Sequence, residues 1–557
     1  MDFGAYKTTQ CEERRGGHCT GGQIKSWRKP SPGQFRFDVD VCFNPKEIRY
    51  ATGGVVRNDE GKVIMAFGKK TTTMGSALEG ELFALKAGLQ QMMEANSGPV
   101  VATNTLQSSH KMLTFKATHM VQPAEPTPEE IMYLNAGDQI KDIYHTPTIY
   151  FYKHSPALHS RDAISRLKES LSKVLVPFYP LAGRLSWAAE GGSRVELHCN
   201  GKGVPIIEAE SDAAVEDYGD FTPTPAIQDL IPIVDYTIPI DEIPLISVQL
   251  TTFRCGGVSI GLGVCHVMAD GPSALHFVDE WAKIGRGAEE PVIPPFLDRK
   301  VLETDKPLTS IFDPAVLRPL PTLIGQEDNI VEQQKKPLTV TTLNLNKSQI
   351  DKLREKANLD YPGGRGYSRF EAVAAHIWRC TSKARGHVAE QQTSLNFVAD
   401  FRNKMKPPLP NNFFGNALIR VEARDNSGNL LSNSIGMVAS KIREATEKVT
   451  DDTVRAYLDY VKGLPDVGVY RSLDNNGRPK GGYFGNPNVA IISWTTLSLY
   501  GADFGWGKEI HMGPGSHSSD GKTYIIPSHD GDGSFNVVIW LVEEHMGAFK
   551  KCFYEEI

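Results

Sequence analysis

A mixed α/β fold in unequal pieces is what the sequence predicts, and three observations predict it. Alternating apolar residues at 35–43 (FRFDVDVCF) open a run of short strands with a helical repeat behind them. A continuous apolar run at 258–265 (VSIGLGVC) passes through a tight loop, HVMADG, into a helical pattern, PSALHFVDEWAKI. The stretch 112–557 is too long for one ordinary core, and a Pro-rich, aperiodic segment interrupts it at 290–337.

The first piece reads in order. After 35–43, residues 51–56 and 62–67 continue as strands around a turn at Asp59-Glu60-Gly61. Leu78, Leu82, Leu85 and Leu89 then recur at helical spacing within 77–93, and 100–103 begins another strand. The pattern stops at 104–111, and MLTFKATHMVQPAEPTPEE from Met112 has the texture of a fresh start. The expected organisation is a disordered stretch at 1–26, a small α/β unit at 27–108, one subdomain at 112–290, a surface crossover at 291–337 and a second subdomain at 338–557.

Bulk properties narrow the class. The chain has 557 residues, 40% hydrophobic and 23% charged, so a sizeable core is expected and general disorder is not. No apolar run reaches membrane-spanning length, and the N-terminus lacks the apolar stretch of a secretory signal. Eight cysteines are scattered without a CxxC pair, which fits reduced thiols in a cytoplasmic protein. Cys11, His18 and Cys19 cluster, but without a second ligand pair they give no zinc site, and no metal is expected. Residues 1–111 carry a net charge of +4 and the remainder −10, a balance that excludes nucleic-acid binding through bulk electrostatics.

The chemistry centres on HVMADG, which places His266 and Asp270 between a buried strand and a helix with Pro272 in its first turn. Alone, HxxxD means little, because 15 histidines make about one chance match expected. Other segments give it weight: VLVPFYPLAGRL at 174–185, ELHCNGKGVPIIEAE at 196–210, SRFEAVAAHIWRC at 368–380, FVADFRNKMKPPLPNNFFGNA at 397–417 and DFGWG at 503–507. Together these resemble the BAHD family of plant CoA-dependent acyltransferases across essentially all of 112–557.

That resemblance implies two chloramphenicol-acetyltransferase-like subdomains with a channel reaching the histidine from both faces. It implies an acyl-CoA co-substrate, no bound cofactor, a monomer, and His266 as general base, since an imidazole of near-neutral pKa can take a proton from the acceptor and return it to the leaving thiol. It makes Asp270 a loop-structuring residue paired with an Arg, for which Arg402 is the candidate. Trp494 becomes a candidate oxyanion donor, and Asp503, Gly505 and Gly507 become structural. Ser368 and Arg369, at a helix start, are the candidates for CoA phosphate binding.

Within the family, HTPTIYFYK at 145–153, the LYGADFGWGKE run and the C-terminal EEHMGAFKKCFYEEI are most similar to hydroxycinnamoyl transferases. Shikimate enzymes of that group carry a Thr two residues before the SW tryptophan and an Arg in the preceding loop. Here Ile492 holds the first position and Pro479 stands near the second, with Arg478 beside it. The favoured acceptor on these grounds is spermidine, with shikimate or quinate as the alternative. Spermidine would bring amines that are about one part in a thousand neutral at pH 7.

The N-terminal words SWRKPSPGQFRFDVDV, GGVVRNDEGKVIMAF and ALEGELFALKAGL resemble RNase H-like domains related to retroelement reverse transcriptases. Such nucleases gather carboxylates around two metal ions. Asp40 and Glu81 match acidic positions, but Asn104 stands where a third acid is expected, and the chain turns to its second piece before a fourth. A degenerate, inactive segment is the expectation.

Overall fold

The computed structural model describes the backbone of Phe35–Asn44, Arg49–Arg57, Val63–Thr71 and Val100–Ala102. It also describes residues 113–557 except 157–159, 190, 290–291, 304–318, 326–329, 360, 362, 472–484 and 516–518. It divides into two units, Met1–His110 and Lys111–Ile557. The expectations for 1–26, for the 77–93 helix and for Glu81, Asn104, Arg478 and Pro479 lie outside the described residues.

In the first unit, Phe35–Asn44 pairs antiparallel with Arg49–Arg57, which pairs antiparallel with Val63–Thr71. Val100–Ala102 joins Phe35–Asn44 in parallel on its other edge. Asp40 sits mid-strand opposite Gly53.

The second unit is built on two six-stranded sheets. In order of hydrogen-bonded neighbours, the first runs His511–Pro514, His145–Tyr152, Val258–Cys265, Ile246–Phe253, Val204–Ser211 and Leu113–Val121. The second runs Leu338–Leu345, Phe535–Val542, Lys522–Pro527, Val489–Ser493, Gln392–Asp400 and Leu418–Asn426. Each sheet has its own apolar core. They are not independent: His511–Pro514, late in the chain, pairs with His145–Tyr152 as the edge strand of the first sheet. Trp494 and Trp540, from the second half, pack into the core of the first.

Val258–Cys265 is buried at every position, as expected of a strand covered on both faces. The helix after it spans Gly271–Gly285, with Pro272 in its first turn. Ser368 caps the Arg369–Ala384 helix through a reciprocal exchange with Glu371. The expected surface crossover departs from expectation at Arg299. This side chain is 1% exposed, pairs with Asp138 at 3.2 Å and donates to Met268 O at 2.9 Å. A guanidinium in that place needs charge and carbonyl partners, and these come from residues far away in sequence. No helix among the described residues is long and apolar enough to cross a membrane. Cys199, Cys255, Cys265, Cys380 and Cys552 are free thiols.

Candidate active site

The buried Val258–Cys265 strand ends where its backbone turns, and His266 emerges at that end. Its backbone N–H donates to Tyr144 O at 3.0 Å, fixing the first residue of the loop to the neighbouring strand's approach. Carbonyls of the loop are held by side chains from farther along the chain. Asn416 Nδ2 donates to His266 O at 2.9 Å and Val267 O at 3.1 Å. Arg299 holds the Met268 carbonyl. Asp138 in turn accepts from Asn416 N and Nδ2, at 2.9 and 3.0 Å.

Asp270 turns away from the imidazole. Arg402 grips both its oxygens at 2.8 Å, Ala417 N donates to Oδ2 at 2.9 Å, and Ser273 N donates to Oδ1 at 3.1 Å. Burial alone would raise this carboxyl, but the Arg402 guanidinium and the two amides hold it below its ordinary value. Asp270 thus serves as the N-cap of the Gly271–Gly285 helix and as half of a bidentate ion pair.

His266 faces a cavity of about 1180 Å³ lined by both sheets, Trp494 among the residues at its wall. Its Nδ1 is buried and finds no partner outside its own residue. Burial first, and then the nearby Lys141 ammonium, push the imidazole pKa below its usual value, with Asp142 and Asp270 opposing weakly. The imidazole is therefore neutral at pH 7 and free to accept a proton.

The DFGWG run lies behind the site. Asp503 Oδ1 accepts from Gly505 N and Gly507 N at 2.7 and 2.9 Å, closing the turn. Phe504 stacks edge-on to Trp281, their ring centroids 4.9 Å apart, and packs against Gly285 at the far end of the helix that Asp270 caps. The turn braces the helix that carries the loop, without touching the cavity at His266.

Ser368 lines the cavity, but Arg369 does not. Its guanidinium donates to Gly533 O and lies over the Phe535 ring. The cations that do line the cavity near that helix start are Arg365, Lys404 and Arg443, the last paired with Glu371. Lys141 and Lys522, which sequence reading did not single out, also line it. Burial pushes both ammonium groups down, Lys522 to about 7 with Asp142 opposing, and Lys141 with Asp270, then Asp142 and Asp138, opposing. Lys522 opens the strand Lys522–Pro527, KTYIIP.

Comparison with known proteins agrees with this architecture. The Transferase family model matches residues 111–556, and a reverse transcriptase-like model matches 38–132. A hydroxycinnamoyl-CoA:piscidic acid hydroxycinnamoyltransferase from Actaea racemosa is 46% identical over 80% of this chain and 100% of its own length. A shikimate O-hydroxycinnamoyltransferase from Nicotiana tabacum is 39% identical over 79% of this chain and 99% of its own. Among solved structures, F. graminearum TRI101 complexed with ethyl coenzyme A aligns with a TM-score of 0.59 at 17% identity, covering 76% of this chain and 97% of that one. The histidine loop, the two-sheet cavity and these matches make this chain a member of the BAHD branch of the Transferase family, a CoA-dependent acyltransferase.

Proposed function

We propose that the protein transfers a hydroxycinnamoyl group from its CoA thioester directly onto a hydroxyl of a small acidic acceptor, with His266 as general base. One observation carries the reading: a neutral, partly buried imidazole on the wall of a cavity shared by two sheets, which Trp494 also lines. The hydroxycinnamoyl donor is supported by the names of the relatives, which reach 46% identity.

In this mechanism the acceptor O–H attacks the thioester carbonyl while His266 takes its proton. With Nδ1 buried, Nε2 is the nitrogen left to act as the base. The tetrahedral oxyanion forms within reach of the Trp494 indole N–H and collapses, expelling CoA thiolate, which recovers the proton from the imidazolium. No acyl-enzyme is needed. Asp270 and Arg402 keep the loop in shape, and Ser368 with the basic residues near it serves the CoA end.

The acceptor is where this reading moves away from spermidine. Lys141 and Lys522 both line the cavity, and a cation there disfavours a polyamine at that point of the wall. Relatives named for piscidic acid and shikimate act on acids. Spermidine keeps one favourable observation, the presence of Asp142, Asp400 and Glu447 on the cavity wall.

The N-terminal unit is read as an inactive remnant. The test of the whole is CoA release from p-coumaroyl-CoA with piscidic acid, shikimate or spermidine, beside a His266→Ala control. Turnover of an acid, lost in the control, supports the reading. Turnover of spermidine alone would restore the polyamine acceptor, and a control equal to wild type would remove His266 from the mechanism.

A further inference from the structure

Away from the cavity, one cluster of metal-ligating side chains forms among the described residues, where the C-terminal helix packs on the helix capped by Ser368. The C-terminal helix spans Glu543–Glu555 and ends on Glu556, and its neighbour spans Arg369–Ala384. Cys380 Sγ, Cys552 Sγ and a carboxylate oxygen of Glu556 lie within 4.8 Å of one another. Both thiols are free and buried. A fourth donor stands beside them: Cys380 Sγ lies 3.8 Å from both ring nitrogens of His376.

Helical spacing produces the grouping. His376 and Cys380 are four residues apart on one helix, Cys552 and Glu556 four apart on the other, so each pair shares a face. A cysteine in an apolar core packs as a small hydrophobe and needs no polar company. Here each thiol has a ligating neighbour on its own helix, and the imidazole is already oriented. His376 Nε2 donates to Phe553 O at 2.7 Å, which leaves the lone pair of the neutral ring on Nδ1. A backbone carbonyl holding one ring nitrogen while the other binds is the usual support for a metal-ligating histidine.

Size and charge fit as well. Zinc bonds of about 2.3 Å to sulfur and about 2.1 Å to nitrogen or oxygen, set tetrahedrally, space the ligand atoms about 3.4–3.8 Å apart. Two thiolates neutralise a divalent ion. Glu556 is balanced by Lys383, whose Nζ donates to its Oε1, and a carboxylate keeps a second oxygen for the metal. The assembly therefore brings no net charge into a buried place, which a fold would otherwise resist. The Glu556 side chain is 27% exposed and gives the ion a way in.

We propose that His376, Cys380, Cys552 and Glu556 form a structural zinc site that fastens the C-terminal helix to the Arg369–Ala384 helix. Four mixed nitrogen, sulfur and oxygen donors suit zinc and leave no open position for a reacting water. On binding, each thiol gives its proton to solvent and forms one Zn–S bond. His376 Nδ1 and Glu556 each donate a lone pair, and nothing is oxidised or reduced.

The experiment titrates the full chain, purified with a thiol reductant, with Zn²⁺ and separately with Co²⁺. Cobalt should give a thiolate-to-metal charge-transfer band in the near ultraviolet and the strong visible bands of a tetrahedral site. Zinc should release about two protons per ion and raise the urea midpoint, and a chelator should reverse the rise. Cys380→Ser and Cys552→Ser should each remove the band and the zinc-dependent rise. Lys383→Met should loosen zinc about 10- to 100-fold, the usual effect of losing the partner that holds a ligand. A wild-type chain that gives no charge-transfer band, a measurement needing no variant, would overturn the site. A band that survives in both serine variants would overturn it by placing the metal elsewhere. A Cys380–Cys552 disulfide that persists in the reductant would do the same, by making the pair a covalent clip.

Discussion

His266 and Asp270 stand on one short loop, yet their surroundings are opposite. Asp270 is 1% exposed and every oxygen is engaged, by Arg402, Ala417 N and Ser273 N. His266 is held only through its backbone, while its ring has no neighbour to bind and a cavity in front of it. The loop spends its hydrogen bonds on its main chain and its far end, leaving one side chain chemically idle and therefore reactive. A polar group without partners is a destabilising feature that a fold tolerates where a substrate will complete it.

Removing the reactive end gives the largest effect. His266→Ala should lower kcat/KM for CoA release from p-coumaroyl-CoA by about 10²- to 10⁴-fold, the range of general-base catalysis. Its unfolding midpoint in urea should be no lower than that of wild type, because the ring gives the fold no hydrogen bond to lose. A midpoint that falls with the rate would show that both ends of the loop are structural.

The converse substitution sharpens the contrast. Asp270→Asn keeps the shape and removes the charge, leaving Arg402 buried against a neutral amide. Breaking one side of a buried pair costs about 3–5 kcal/mol, read as a lower urea midpoint at unchanged slope. Activity should fall too, through loop geometry. Lowering the pH should act in the same direction. The folded carboxyl lies below its ordinary value, so its stabilisation is present above about pH 4 and is lost as pH falls further. An Asp270→Asn variant as stable as wild type but without activity would make Asp270 part of the chemistry.

How much of this was legible follows from distance along the chain. His266, Asp270 and the helix after them lie in one run, and the strand-loop-helix grammar of VSIGLGVCHVMADGPSAL is local. Arg402 was reachable because the segment around it resembles a family motif, and the structure brings it against Asp270. Asn416 lies in the same quoted segment, but nothing in NNFFGNA says that its amide will hold two carbonyls 149 and 150 residues away. Arg299 sits in a Pro-rich, aperiodic stretch, which reads as surface until Asp138 and Met268 are found beside it. Lys522 looks like an ordinary lysine at a strand start. Its place on the cavity wall depends on register with Ala490, and register between parallel strands is set by packing that no local pattern records.

A smaller effect is expected behind the site, at DFGWG. Gly505 has φ +97°, and an added Cβ would lie 3.2 Å from Arg286 Cα and 2.2 Å from the movable Arg166 Nη1. Gly505→Ala should cost about 1–3 kcal/mol from backbone strain and crowding. Because the turn touches the far end of the helix capped by Asp270, kcat/KM should change by less than about threefold once the protein is folded. A large rate loss at full stability would place the turn in contact with substrate.

The smallest expected effect concerns pH, and it tests whether the two ends of the loop are electrostatically separate. If Asp270 were a partner of the imidazole, its charge would favour the imidazolium and raise the pKa of His266 above the ordinary value. In the structure Asp270 is neutralised by Arg402, while burial and Lys141 act on His266 and lower its pKa. A base with a pKa below its ordinary value is already mostly unprotonated at pH 7, so raising the pH further recruits little additional base. With an acceptor that does not titrate in the range, such as methyl shikimate, kcat/KM should therefore vary by less than about twofold between pH 7 and 8.5 and decline only below about pH 6.5. Lys141→Met removes the cation that disfavours the imidazolium, so the acidic limb of the profile should move to higher pH in that variant. A wild-type limb centred above pH 7 would mean that the Asp270 charge reaches the ring despite Arg402, and the division of the loop into a structural end and a reactive end would fail.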